Sequence, residues 1–125
     1  KVSLDYHLKH KFILCIEGND VASNLKWVMS SNSVAVMPKP KFESWFMENM
    51  LIPDYHYIQI KDDYSDLEEK LKFYIKNTEK LQQISINANN YVDQFRDYND
   101  EKLISLLVME KFFCLTNQKK SLIDF

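Results

Sequence analysis

The sequence predicts an α/β fold, a small parallel sheet with a helical C-terminus. Three observations predict it. Short apolar runs rich in β-favouring residues stand at 12–16, 34–37 and 56–60. Segments of helical period lie between the first two runs and follow the third. Each of the first two runs stops abruptly, at Gly18 and at Pro38. Strand, helix, strand, helix, strand and then helices is the order of a layered parallel sheet with crossover connections.

Taken in order, residues 3–10 suit a short helix, with Ser3 as its cap and Leu4 and Leu8 one turn apart. Phe12 to Ile16 is a continuous apolar run, expected as a strand covered on both faces. Beyond the Glu17-Gly18-Asn19-Asp20 break, Val21, Leu25 and Val28 or Met29 mark a helix over 21–29. Val34 to Met37 is a second strand, stopped by Pro38 and Pro40. The aromatic-rich stretch 42–50 reads as a short helix, and His56 to Ile60 alternates as a third strand. Ser65-Asp66-Leu67-Glu68 has the form of a capping box. The helix after it carries Leu67, Leu71, Tyr74 and Ile75. A helix capped by Asn77 or Thr78 runs through Leu81, Ile84, Ala88, Tyr91 and Phe95. Residues 101–115 form the last, with Leu103, Leu106, Leu107 and Phe113 as an apolar face.

The chain has 125 residues, 46% hydrophobic and 27% charged, with a net charge of −2. That is ordinary globular composition, long enough for one domain with a core. We expect a single domain over 1–125, α/β to about residue 76 and helical from about 77 to 116. The basic residues are scattered and form no stripe, so nucleic acid is not an expected partner. No apolar run approaches the roughly 18–20 residues that span a bilayer. Cys15 and Cys114 are far apart in apolar segments and read as reduced, buried thiols, which suits a reducing compartment. About three strands make a small sheet for a free-standing domain of this type. The chain also begins with Lys1, so a piece of a longer polypeptide is expected.

The chain's single glycine, Gly18, sits where the first strand hands over to its helix. Ligands of open parallel sheets bind beyond the carboxyl ends of the strands, where helix N-termini favour anions. Glycine there lets a ligand approach with no Cβ in the way. Asn19, Asp20, Ser23 and Asn24 add short polar groups, and Lys26 adds a cation one turn on. The plainer alternative is a tight turn with Asn19 or Asp20 as cap. A lone glycine is no dinucleotide fingerprint, and spacing by itself ends at a candidate anion site.

Seven features occur together and in order: Glu17-Gly18, Ser23 to Lys26, Val34 to Met37, Trp45-Phe46, His56-Tyr57-Ile58, Lys61-Asp62-Asp63 and Ser65-Asp66-Leu67. Over roughly residues 8–95 the chain resembles the lipopolysaccharide-modifying and CAP10-type glycosyltransferases (glycosyltransferase family 90), the bacterial branch more closely than the eukaryotic protein O-glucosyltransferases. The resemblance implies GT-B architecture, two Rossmann-like halves across a cleft, of which this chain is similar to the C-terminal, donor-binding half. It implies a nucleotide sugar as donor substrate and no other cofactor; Asp62, Asp63 and Asp66 lie at a helix start, where capping and the helix dipole account for them, so no metal is expected. A glycan or lipopolysaccharide acceptor would be engaged through an N-terminal domain. The implied location is cytoplasmic, with peripheral attachment at the inner membrane.

On that resemblance the donor-binding residues are Glu17, Gly18, Asn19, Asp20, Ser23, Asn24, Lys26 and Glu43. Gly18 and its turn would lie against the diphosphate, and Lys26 stands where many relatives carry arginine. Lysine keeps the charge and loses the bidentate fork. Glu43, or Ser44 in a register one residue along, would bond donor hydroxyls. No catalytic residue is expected here, because the family's acidic base belongs to the N-terminal half; the fragment would be inactive alone. Trp45 and Phe46 also suit core packing, His56 a structural role, and Asp62, Asp63 and Asp66 helix capping. The alternative function is a non-catalytic interaction module that keeps the fold.

Overall fold

The computed structural model describes residues 2–118. The chain divides into two compact units, Lys1–Val92 and Asp93–Phe125.

The first unit opens with a short helix α1 (Leu4–His7), capped as expected by Ser3, whose hydroxyl accepts from the Tyr6 N–H. Strands β1 (Phe12–Leu14), β2 (Val34–Met37) and β3 (Ile58–Gln59) form one sheet in the order β1-β2-β3, with both pairings parallel. Register sets Phe12 opposite Val34 and Val36 opposite Ile58. Helices α2 (Leu25–Met29), α3 (Leu67–Lys76) and α4 (Thr78–Asp93) complete the layers.

Alternation along the strands assigns the two faces. Val34, Val36, Ile58 and Ile60 pack with Tyr74, Leu81 and Ile84 of α3 and α4, and Phe12, Leu67 and Leu71 join from the margin. The opposite set, Ile13, Cys15, Ala35 and Met37, is buried together with Leu25, Val28 and Met29 of α2. All four β2 residues are buried, as a central strand requires.

Several expectations are corrected by this arrangement. β1 is not covered on both faces: Leu14 and Ile16 are nearly half exposed, because α3 and α4 lie over β2 and β3 and β1 is the sheet's edge. Helix α2 begins at Leu25 rather than Val21, so the connection from β1 is a ten-residue link over 15–24. Residues 42–50 form no α-helix, only a 3₁₀ turn at Glu48–Met50 entered through Met47 at φ 53°. The capping box does not close. Asp66 is the cap residue of α3, but its carboxylate accepts from the Lys61 N–H, and Ser65 donates its N–H to Asp63.

The second unit contains α5 (Tyr98–Leu115), capped by Asp97, whose carboxylate accepts from the Asn99 and Asp100 N–H groups. Apolar side chains go right round this helix rather than along one face. Ile104, Val108 and Met109 are exposed as well as Leu103, Leu106 and Phe112. No helix among the described residues is long and apolar enough to cross a membrane.

Candidate functional site

The carboxyl ends of the three strands face the same side, and a cavity of about 160 Å³ opens there. Its wall is built from Glu17 and Gly18 after β1, from Lys39 and Lys41 after β2, and from Asp62 and Tyr64 after β3. Glu48 of the 3₁₀ turn also borders it.

Gly18 is not required by its own backbone or by packing. Its φ lies outside the left-handed region, and a Cβ built on it would meet nothing within 4 Å. Its N–H donates to the Asp20 carbonyl at 3.2 Å, which tightens the bend. Position 18 borders the cavity, and the place a Cβ would take there is open.

Glu17 holds the neighbouring loop. Its carboxylate accepts from the backbone N–H groups of Lys41, at 3.1 Å, and Phe42, at 3.2 Å. With Pro38 and Pro40 restricting the intervening backbone, this fixes the path of the chain past the cavity. Lys41 Nζ then lies 2.9 Å from Asp62 Oδ2, an ion pair in which both side chains are mostly exposed. The Asp62 hydrogen bond and charge raise the Lys41 pKa, so Lys41 stays protonated.

Lys26 and Glu48 form the second cluster. Lys26 Nζ lies 3.0 Å from Glu48 Oε1 and 3.2 Å from Ser44 Oγ. Glu48 also accepts from the Ser44 N–H at 2.7 Å and from the Ser44 hydroxyl, and only 1% of it is exposed. Burial raises its pKa, but the Ser44 N–H and the Lys26 ammonium outweigh that and hold it below the ordinary carboxylate value. The Lys26 ammonium also stands over the rings of Trp45 and Phe46, at 5.5 and 5.3 Å. Tyr91 of α4 donates to the Phe46 and Met47 carbonyls, and so anchors this turn to α4.

Of the eight candidate residues, Glu17 and Gly18 are on the cavity wall. Asn19 and Asp20 are exposed in the bend, and the Asp20 carboxylate accepts from the Val21 N–H. Ser23 is exposed in the turn before α2. Asn24 donates from Nδ2 to the Leu14 carbonyl at 2.8 Å, pinning α2 to the end of β1. Lys26 is held by Glu48 as described, and Glu43 is exposed. Helix α2 has five residues and no side-chain cap bond, too little for a strong terminal dipole.

Among the described residues, Asp62, Asp63 and Asp66 all have other partners, Lys41, the Ser65 N–H and the Lys61 N–H. His56 accepts at Nδ1 from the Ile52 N–H, and burial lowers its pKa. That is the structural role expected of it. Phe46 is buried as core packing requires, whereas Trp45 is 64% exposed.

Comparison with known proteins identifies the family of the chain. The sequence model of glycosyl transferase family 90 matches residues 1–104. The chain belongs to glycosyl transferase family 90. It is 44% identical to the O-glucosyltransferase LpsA of Dichelobacter nodosus over 114 residues, 91% of this chain and 36% of that protein. It is 30% identical to the uncharacterized protein 179R of Invertebrate iridescent virus 6 over 119 residues, covering 88% of this chain and 10% of that protein. This chain therefore spans about a third of one relative and a tenth of the other.

Several cavity residues of this family 90 chain were not expected from its sequence, among them Lys39, Lys41, Glu48, Asp62 and Tyr64. A signal for the two lysines was present. Pro-Lys-Pro-Lys directly follows β2, and in a parallel sheet that loop must emerge beside the one after β1. Glu48 had no such signal, because its burial depends on the left-handed turn at Met47.

Proposed function

We propose that this chain is the donor-binding portion of a glycosyltransferase of GT-B architecture that acts in lipopolysaccharide or surface-glycan biosynthesis. The nucleotide-sugar diphosphate lies in the cavity beside Gly18. The observation that carries this reading is the open space at Gly18, a glycine that neither backbone conformation nor packing demands, on the wall of a cavity at the strand ends. The cavity is smaller than the roughly 300 Å³ at which pockets for whole small molecules begin. It suits the diphosphate, with the nucleoside and sugar extending beyond it.

Transfer forms a bond from the sugar C1 to the acceptor oxygen and breaks the bond from C1 to the diphosphate. A base takes the acceptor proton, and positive charge or N–H groups stabilise the leaving diphosphate. The carboxylates at the cavity are poorly suited to the first task. Glu17 is bonded to two backbone N–H groups, Glu48 is held ionised by Lys26 and Ser44, and Asp62 faces Lys41. The base therefore comes from outside this site, in keeping with an N-terminal half that also engages the acceptor, and the chain is inactive by itself. The donor needs no metal or other cofactor here.

The name of the bacterial relative, O-glucosyltransferase, makes a nucleoside diphosphate glucose the first donor to test and a hydroxyl the expected acceptor. Calorimetry of the folded chain with a panel of nucleotide sugars is the direct test. Heat of binding with one member, abolished by a bulky residue at Gly18, is the expected result. A folded chain that binds none of them leaves the fold in the role of a non-catalytic interaction module.

A further inference from the structure

We propose that a second cavity, between α3 and the loops at the two ends of β3, is a saccharide site. Asp54 and Lys70 bond adjacent sugar hydroxyls there, and the Phe73 ring packs on the C–H face of the sugar. The donor reading above uses none of these residues, and this site is independent of it.

The cavity has a volume of about 700 Å³, within the range of pockets that enclose small molecules. Asp54 borders it from before β3 and Lys61 from after it. Glu69, Lys70, Phe73 and Tyr74 share one side of α3 and line it, and Lys80 of α4 borders it too. Three ammonium groups, of Lys61, Lys70 and Lys80, thus meet three carboxylates, of Asp54, Asp66 and Glu69. With equal numbers of each sign, the cavity selects neither a phosphate nor a cation. A ligand that uses donors and acceptors together fits it best, and a sugar hydroxyl is both.

The polar groups are held in place and still open. Lys70 Nζ lies 3.3 Å from Asp54 Oδ2, and Tyr74 donates its hydroxyl to Asp54 Oδ1 at 2.9 Å. The Asp54 backbone is fixed as well, at φ 56° with its N–H donating to the Tyr57 carbonyl at 2.7 Å. Even so, the Lys70 and Asp54 side chains are 33% and 44% exposed, and each keeps bonding capacity beyond these contacts. A carboxylate and an ammonium side by side match a vicinal diol, one hydroxyl donating to Asp54 and the next accepting from Lys70. One turn along α3, the Phe73 ring is 45% exposed even with Lys80 Nζ 5.2 Å from its centroid. An open aromatic ring beside a fixed donor and acceptor suits a sugar, whose C–H face is apolar and whose edge is hydroxylated. In a surface-glycan transferase such a site holds glycan away from the reacting hydroxyl, and that use alone rests on the proposed function.

The test is a titration of the full chain followed by amide NMR shifts, with maltose, with cellobiose and, as the anionic control, with inorganic pyrophosphate. A disaccharide should shift the amides of residues 69–74 and of Lys80 in a saturable way, with millimolar affinity. Phe73→Ala should weaken that binding about fivefold or more. Asp54→Asn should weaken it about threefold, because a neutral acceptor replaces a charged one. Phe73 is nearly half exposed and asparagine accepts the left-handed backbone of position 54, so melting temperatures should match the parent chain. Where a variant does not fold, the shift map of the parent chain decides the location by itself. Parent-like affinity in either folded variant, shifts confined to Gly18 and its loop, or no saturable shift with either disaccharide overturns the assignment and leaves the donor reading intact. Shifts of the same amides by pyrophosphate and not by sugar make this an anion site, which overturns it too.

Discussion

Lys26 Nζ and Glu48 Oε1 are 3.0 Å apart, and this pair joins α2 to a turn 22 residues further along the chain. Glu48 is almost wholly buried, and its remaining bonds come from Ser44, inside the same turn. Tyr91 holds that turn from the α4 side. The pair thus links three elements of the first unit behind the cavity.

Removing one partner of such a pair should be costly, because the other is left charged in a dry environment. Lys26→Met is expected to destabilise the first unit by about 3 kcal/mol. Glu48→Gln keeps the shape and should cost less, about 1–2 kcal/mol. Urea unfolding of the two variants measures both, and a loss under about 0.5 kcal/mol in Lys26→Met would show that the pair is not structural. The folded-state pKa of Glu48 is depressed. Its contribution is therefore present above its ordinary value of 4.5 and is lost as pH falls through the folded value. The stability difference between the parent chain and Glu48→Gln should shrink in acid.

His56 has the opposite chemistry. Its Nδ1 accepts a hydrogen bond from the Ile52 N–H, which only the neutral ring can do, and burial lowers its pKa from 6.5. Below that ordinary value the unfolded chain takes up the proton first, so stability falls as pH drops from about 7 toward 5. His56→Ala should be less stable at neutral pH and should lose this part of the slope. An unchanged slope in the variant would assign it to other groups.

Gly18→Ala separates function from stability. A Cβ there meets no atom of the chain within 4 Å, so the fold should be unaffected or slightly strengthened through the unfolded state. Donor binding should weaken about tenfold, because the methyl group stands where the diphosphate is proposed to lie. Equal affinity of the two proteins would place the ligand elsewhere.

The two cysteines should differ in reactivity. Burial pushes the Cys15 thiol up to about 12, and it is 1% exposed, whereas Cys114 is half-buried. At pH 8 a thiol-specific reagent should label Cys114 and leave Cys15 untouched until the chain unfolds, with a rate difference of about a thousandfold or more. Equal rates would mean that the sheet opens around β1 much more often than this packing implies.

The three strands, their parallel sense and most of the packed faces of α3 and α4 were legible in the linear sequence, because apolar periodicity and proline or glycine breaks are local properties; the helix expected over 42–50 did not form, and Ile75, read onto the apolar face of α3, is exposed. The family was legible too, its motifs keeping their order along the chain. The pairing of side chains across long stretches was not legible. Glu17 reaches Lys41 over 24 positions, and Lys26 reaches Glu48 over 22. Lys26 reads from sequence as a cation one turn into a helix facing an anion. In the folded chain its ammonium lies 3.0 Å from Glu48, a buried carboxylate that no spacing along the chain places beside it.

Sequence by itself determined which groups carry charge and which segments form strands. Which charges cancel is a matter of distance and solvent exclusion, and only the tertiary structure decided it. Coulomb attraction and desolvation depend on where two side chains meet, not on how far apart they stand in the chain.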